Sequence, residues 1–241
     1  MHPEYETTRR AVPEILQRHS SATALDNGLR RDTPGFVARK RPAKTFVQRN
    51  RLQIRSILLA FMAGSILFTD RSLYETPLGT ALYVLGCLGI MTGALGRFWC
   101  YVYNSGARSK TVITTGPYAV CRNPIYGCSI VVAASVGLIS ESIVLAILFA
   151  GGASLFYLKI IAGEEKKLAW LHGDVYLAYR ASTSKFIPRF ARPLPGNVEK
   201  VPGEVLMRKI PKLILMGLII PAVEIFNTLH DVLGRGLVHI F

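Results

Sequence analysis

The sequence has little from which to build a metal site or a disulfide framework. Its four cysteines form no Cys-x-x-Cys pair, and its five histidines are scattered along the chain. Metal sites and disulfide scaffolds both need such residues at close and characteristic spacings. We therefore predict no metal site, and free thiols at all four cysteines: Cys87, Cys100, Cys121 and Cys128.

Acidic residues are also few, 15 against 29 Lys and Arg, which gives a formal net charge of +14. The basic residues lie beside long apolar runs and form no separate basic domain, so a nucleic acid is not the predicted partner. Half of the residues are apolar and the mean hydropathy is +0.32. This composition predicts a membrane protein whose basic residues face anionic lipid headgroups.

The first fifty residues contain no apolar stretch of the signal-peptide type, and the last residues carry no prenylation motif. We expect the transmembrane helices themselves to direct insertion. Residues 1–50 are polar and predict a basic cytosolic arm, partly disordered. Its basic residues would hold the N-terminus on the cytoplasmic side, which is the inner face of the inner membrane if the protein is bacterial. Binding of a partner or a nucleic acid is the alternative role for this arm.

Apolar runs predict an all-α polytopic membrane protein with four or five transmembrane helices. Residues 51–208 would form the membrane domain, and residues 209–241 a C-terminal helix that crosses the membrane or lies in the interface. Gly89 and Gly93 form a Gly-x-x-x-Gly pair, which predicts close approach of another helix. The runs are Ser56–Phe68, extended by Leu52 and Ile54, then Leu78–Gly96, Ile125–Ile139, Ile143–Ala162 and Ile210–Phe226.

The third and fourth runs are separated only by Ser140, Glu141 and Ser142, which predicts a tight antiparallel hairpin. Lys and Arg crowd the other connections and are nearly absent from the joints near Asp70 and Glu141. The positive-inside rule therefore places the segment before helix 3 and the segment after helix 4 on the cytoplasmic side.

These two segments carry the candidate functional residues. The first, 114–127, has two prolines and two glycines, so it should be an irregular loop fixed by packing or a ligand. The second begins with Gly163 and the adjacent pair Glu164 and Glu165, which is costly at a membrane helix end unless solvated or paired. Each segment alone is also compatible with a purely structural role, as an interfacial anchor or as a solvated helix end.

Together the segments resemble one family signature: Gly-Pro-Tyr, then Arg-His-Pro-x-Tyr-x-Gly, Glu-Glu-x-x-Leu, Gly-x-x-Tyr-x-x-Tyr and Phe-x-Pro. This is the pattern of isoprenylcysteine carboxyl methyltransferases and their relatives, including phospholipid N-methyltransferases. The similarity covers about Gly116 to Phe190. This chain departs from it at Asn123, where the family has histidine; asparagine keeps a donor and an acceptor but cannot become cationic near neutral pH.

The resemblance implies that both segments fold into one cytoplasmic pocket for S-adenosylmethionine, with a lipophilic or prenylated acceptor arriving from the bilayer. The catalytic residues it implies are Arg122, Glu165 and Arg180. The cofactor-binding residues it implies are Gly116, Pro117, Tyr118, Arg122, Asn123, Pro124, Tyr126, Glu164, Glu165, Tyr176 and Tyr179.

Methyl transfer to a carboxylate or thiolate needs alignment and exclusion of water rather than a strong base. An amine acceptor would need a proton relay, for which Glu164 and Glu165 are the candidates. Two other functions stay open: an NADPH-dependent membrane sterol-type reductase, and a non-catalytic membrane scaffold. The acceptor and the oligomeric state do not follow from the sequence.

Overall fold

The computed structural model describes residues 42–43, 45–67, 73, 76–107, 111–188, 203 and 207–234. Most of the N-terminal arm, and Phe190 at the end of the family signature, lie outside these residues. The described part is all-helical and contains no strand, as the sequence predicts. Its helices are α1 Phe46–Arg49, α2 Arg51–Leu67, α3 Pro77–Ala107, α4 Pro117–Val120, α5 Pro124–Ile139, α6 Ile143–His172, α7 Asp174–Ser182, α8 Ile210–Gly217 and α9 Ile219–Gly234.

Among the described residues, three stretches are long and apolar enough to cross a membrane: Pro77–Asn104, Ile143–His172 and Ile210–Val232. Helix α5 is also apolar, but its 16 residues extend only about 24 Å, against roughly 30 Å of hydrocarbon. Large apolar side chains such as Leu85, Leu95 and Leu155 are more than half exposed, as expected for surfaces that contact lipid. The chain is therefore an integral membrane protein, and the predicted four or five crossings stay a prediction.

The helix boundaries differ from the predicted ones where an apolar run stops before its helix does. Helix α3 continues past Gly96 to Ala107. The predicted end of α6 at Ala162 is wrong, because the helix continues to His172 and stops at Gly173, whose φ is 54°. Residues 164–172 are mostly good helix formers, so the chain leaves the apolar layer without leaving the helix. Glu164 and Glu165 consequently lie within α6 and not after it.

Helix α5 lies between α3 and α6, and α9 packs against α2, α3 and α5. Ile90, Ile139 and Phe149 are almost completely buried in the core that these helices share. The predicted α5–α6 hairpin is confirmed. Its turn closes with the Ser142 N–H donating to the Gly137 carbonyl at 3.2 Å, while the Ser142 hydroxyl caps α6 by accepting from the Leu145 N–H.

Glycines make the α3–α5 contact possible, as the sequence predicts. A Cβ atom on Gly86 would lie 2.7 Å from the Ile139 nitrogen and 2.9 Å from the Ser135 carbonyl oxygen. A Cβ atom on Gly93 would lie 2.6 Å from Val132 Cγ2. Since the atoms facing Gly86 include backbone atoms, side-chain rotation alone cannot relieve that contact.

Gly86→Ala is therefore expected to destabilise the protein by about 1–3 kcal/mol, because α3 and α5 must separate to admit the methyl group. Gly151→Ala is the control, since no atom lies within 4 Å of its Cβ position and alanine favours the helix. The measurement is the midpoint of thermal unfolding in detergent. Equal midpoints for the two variants would contradict the close α3–α5 contact.

Candidate active site

The loop before α5 is more regular than its prolines and glycines suggest. Pro117–Val120 forms one helical turn, α4, and Pro124 starts α5, so the prediction of a wholly irregular loop is wrong. Proline is favoured in the first turn of a helix, where its missing N–H costs nothing. Gly116 precedes α4 at φ 59°, and a Cβ atom there would lie 2.3 Å from Tyr103 Cε1. Both the conformation and the ring contact require glycine.

Helix α6 presents its two glutamates in different directions. Glu164 accepts a hydrogen bond from the Tyr126 hydroxyl at 2.9 Å, and the Tyr126 ring lies 5.0 Å from the ring of Tyr157. Glu165 is only 6 % exposed and faces Arg122. Neighbouring positions on a helix are about 100° apart, which explains why one glutamate contacts the first turn of α5 and the other contacts the loop.

Hydrogen bonds join the segment after α6 to the loop. The Tyr179 hydroxyl donates to the Tyr118 carbonyl at 2.7 Å. The Arg122 backbone N–H donates to the Ser184 carbonyl at 2.9 Å, and Asn123 Nδ2 donates to the Lys185 carbonyl at 3.4 Å. Two pieces of chain about sixty residues apart are therefore fixed against each other, as the resemblance implies.

A carboxylate between two guanidinium groups lies where these segments meet. Glu165 Oε1 is 3.6 Å from an Arg122 terminal nitrogen, and Glu165 Oε2 is 3.8 Å from Arg180 Nε. Arg122 also donates to the Arg180 carbonyl at 2.8 Å. The Glu165 and Arg122 side chains are 8 % and 11 % exposed, against 53 % for Arg180. The first pair is thus shielded from water, and the second is open to it.

Two atoms of the buried pair have unused hydrogen-bonding capacity. Arg122 Nε, a donor, and Glu165 Oε1, an acceptor, are buried without a hydrogen-bond partner among the described residues. Leaving such groups unsatisfied costs free energy, so they are natural contacts for a ligand that carries both charges. An amino-acid zwitterion, as in S-adenosylmethionine, has an ammonium group for Glu165 and a carboxylate for Arg122. The residues present therefore fit this cofactor.

Two tyrosines of the site have raised pKa values. Burial, followed by the nearby Glu165 carboxylate, raises the pKa of Tyr176 to about 12. Burial is also the largest cause that raises the pKa of Tyr118 above its ordinary value. Both phenols therefore keep their protons throughout the physiological range. Tyr176 and Tyr179 are almost fully buried, with ring centroids 6.2 Å apart.

The predicted site residues fall into three groups. Arg122, Glu165, Arg180, Tyr176 and Asn123 lie at or beside the charged junction, while Tyr126 and Glu164 form a second contact between the first turn of α5 and α6. The others shape the loop: Gly116 packs on Tyr103, Pro117 and Pro124 begin helices, and Tyr118 and Tyr179 share a hydrogen bond.

Sequence reasoning missed the contribution of the chain just before α2. The side chain of Gln48, in α1, lies over Gly163, where a Cβ atom would be 2.2 Å from its Nε2. Thr45 and Gln48 form a capping box that fixes this short helix. Gly163 next to the Glu pair was the available signal, since a glycine within a helix often marks a close approach. The contacts of the membrane domain therefore begin before residue 51.

Comparison with known proteins identifies the family of this chain. The family model for phospholipid methyltransferases matches residues 74–174, which include the loop, α5 and both glutamates. The nickel-cobalt-cadmium resistance protein NccN of Alcaligenes xylosoxydans xylosoxydans is 31% identical over 155 residues, covering 64% of this chain and 72% of that protein. The chain belongs to the phospholipid methyltransferase family.

A second relative matches a longer part of this member of the phospholipid methyltransferase family. The cobalt-zinc-cadmium resistance protein CzcN of Cupriavidus metallidurans (strain ATCC 43123 / DSM 2839 / NBRC 102507 / CH34) is 29% identical over 192 residues. The match covers 79% of this chain and 88% of that protein. No solved structure matches the chain.

Proposed function

We propose that the protein is an S-adenosylmethionine-dependent methyltransferase whose acceptor is lipophilic and arrives from the bilayer. The observation that carries the proposal is the shielded Glu165 carboxylate between Arg122 and Arg180, where the loop, α6 and α7 meet. Family membership supports the reaction class. The basic residues of the flanking connections favour the cytoplasmic side for this junction.

Each residue of the junction has a role in this proposal. Glu165 binds the ammonium group of the cofactor, and Arg122 binds its carboxylate through the nitrogen that has no partner. Arg180, half exposed at the rim, orients Glu165 from the other side. Tyr176 and Tyr179 exclude water from the pocket wall. When bound, S-adenosylmethionine supplies an electrophilic methyl group on a sulfonium centre.

The residues around the junction suit an in-line displacement, in which alignment of the reactants and exclusion of water supply most of the rate acceleration. A carboxylate or thiolate acceptor needs no base from the protein. For an amine acceptor, Glu164 is the carboxylate available to take the proton, because Glu165 is committed to two guanidinium groups. The Tyr126 hydroxyl holds the Glu164 side chain in place for that transfer.

Calorimetry with S-adenosylhomocysteine, in detergent or nanodiscs, tests the proposal, with NADPH as the competing ligand. We expect saturable binding of S-adenosylhomocysteine with one site per chain and no displacement by NADPH. Binding of NADPH alone would identify a reductase. Binding of neither ligand, in a sample with a cooperative unfolding transition, would identify a scaffold and overturn the proposal.

The family histidine provides a further test at Asn123. We expect Asn123→His to keep cofactor binding at neutral pH, since a neutral imidazole N–H can replace Nδ2 as donor to the Lys185 carbonyl. Below a pH of about 6.5 the imidazole gains a charge beside Arg122 and Arg180, so affinity should fall as the pH decreases. Affinity for S-adenosylhomocysteine measured between pH 5.5 and 8 should show this fall in the variant and not in the wild type.

The names of the two relatives suggest a cellular role in tolerance of divalent metals, which we propose also for this chain. If tolerance depends on methyl transfer, a strain lacking the gene should be rescued by the wild type and not by Glu165→Gln at equal expression. Growth in graded cadmium, zinc, cobalt and nickel salts is the measurement. Rescue by the variant would separate tolerance from methyl transfer.

A further inference from the structure

Three basic side chains converge on one aromatic ring outside the proposed active site. Lys209 Nζ lies 5.1 Å from the centre of the Tyr101 ring, Lys212 Nζ lies 5.8 Å from it, and the Arg97 guanidinium carbon also lies 5.8 Å from it. Arg97 comes from α3, whereas Lys209 and Lys212 belong to the start of α8. We call these four residues the Tyr101 cluster.

The Tyr101 cluster lies at a membrane boundary. Tyr101 is near the end of the stretch Pro77–Asn104, and Lys209 immediately precedes the stretch Ile210–Val232. Both stretches are long enough to cross the bilayer, so their adjoining ends mark the same headgroup level. Trp99 and Tyr103 flank Tyr101 in α3 and add to an aromatic girdle, which is typical of this depth.

The Tyr101 cluster has an excess of positive charge that the described residues do not balance. None of the three cations forms an ion pair with a described carboxylate. Arg97 is held by the Ser129 hydroxyl and by the Tyr101 hydroxyl at 3.0 Å, yet its Nε is buried without a hydrogen-bond partner in the described part of the chain. An anion bound beside the ring would offset the repulsion among these like charges.

The start of α8 adds to the positive potential. Lys209 is its N-cap residue, and no side chain caps the helix. Pro211 has no N–H and the Lys212 N–H donates to the Lys209 carbonyl at 3.1 Å, so the helix dipole is what this end adds to the positive potential. Lys212 is in the first turn, so both lysine side chains that lie near the Tyr101 ring come from this end of α8. The ring itself leaves one side of each ammonium group free to bind an anion.

We propose that the Tyr101 cluster binds a phosphate group, and that the group belongs to the headgroup of an anionic membrane lipid. Free phosphate has the same chemistry, but the boundary position and the apolar surfaces of α3 and α8 favour a phosphate attached to acyl chains. The bound lipid fastens α8 to α3. This inference concerns a second site and does not depend on methyl transfer.

The test compares Lys209→Gln/Lys212→Gln with Arg208→Gln, using phosphatidylglycerol as the lipid probe. Arg208 is the neighbouring exposed cation, and it does not lie over the Tyr101 ring, so it serves as the matched control. Native mass spectrometry of the protein in detergent, titrated with phosphatidylglycerol or phosphatidylcholine, gives the affinities. Lys212 is exposed and Lys209 half-buried, and an unchanged thermal midpoint in lipid-free detergent verifies folding.

We expect the wild type to prefer phosphatidylglycerol, and the double variant to bind it about thirtyfold more weakly, because each basic residue near an anionic surface contributes roughly fivefold. Arg208→Gln should change the affinity less than about twofold, because this side chain does not lie over the Tyr101 ring. A loss of about fivefold in this control would indicate general attraction by surface charge and would overturn the proposal. Competition by millimolar inorganic phosphate would support the site and identify free phosphate as a ligand; lack of competition would identify the lipid. Equal losses in the double variant and the control, or no loss in either, would overturn the proposal.

Discussion

Glu165→Gln is expected to weaken binding of S-adenosylhomocysteine roughly a hundredfold. The reason is that the ammonium group of the ligand loses its charged hydrogen-bond partner, the Glu165 carboxylate, in a shielded site. The amide fills nearly the same volume, so the shape of the pocket is kept. Inside the protein, Arg122 loses the carboxylate 3.6 Å away and keeps only its hydrogen bond to the Arg180 carbonyl, so its shielded charge is no longer balanced. Calorimetric affinity is the primary measurement, with methyl transfer as the second once an acceptor is found.

The matched control is Glu164→Gln, one position earlier in α6. Its amide oxygen can still accept the hydrogen bond from the Tyr126 hydroxyl, which is 2.9 Å from the carboxylate. We therefore expect a loss of affinity of about fivefold at most. Both variants should insert and elute like the wild type from a sizing column. Wild-type affinity in a folded Glu165→Gln protein would refute the role of Glu165.

The sequence predicts the existence of the helices better than their ends, for a physical reason. An apolar run marks the part of a helix that contacts lipid, whereas the helix itself continues until a residue adopts a non-helical backbone conformation. Helix α6 shows the difference: the apolar run stops at Ala162, but the interruption comes at Gly173. Proline marks the observed starts more closely than hydropathy does, because Pro77, Pro117 and Pro124 each occupy a first turn.

Within the candidate site, the motif identified the segments but not which glutamate faces inward. That depends on the rotation of α6 relative to α5 and the loop, which is a property of packing and not of local sequence. Gln48 over Gly163 was missed because residues near 48 show no apolar periodicity. The Tyr101 cluster was missed because it joins the end of α3 to the start of α8, which are distant in the chain.

Arg122→Lys should be nearly as damaging as Arg122→Ala, although lysine keeps the charge. The guanidinium contacts two groups at once, with one terminal nitrogen on the Arg180 carbonyl at 2.8 Å and the other near Glu165. A lysine is a point charge on a flexible stem and cannot reproduce this fork. We expect affinity for S-adenosylhomocysteine to fall at least tenfold in both variants, as measured by calorimetry.

The same change should be visible without a ligand. The Arg122 side chain fixes the Arg180 carbonyl, and its backbone N–H fixes that of Ser184, so only the first of these bonds is lost in Arg122→Lys. Hydrogen exchange should therefore become faster around residues 178–186 and stay unchanged in the α5–α6 hairpin. Arg180→Lys is the control for exchange alone, because the carbonyl that accepts from Arg122 belongs to the backbone and the half-exposed side chain makes one ion pair at 3.8 Å, and exposed pairs contribute little. Wild-type affinity and exchange in Arg122→Lys would show that charge alone is sufficient, and that the fork does not join the loop to α7.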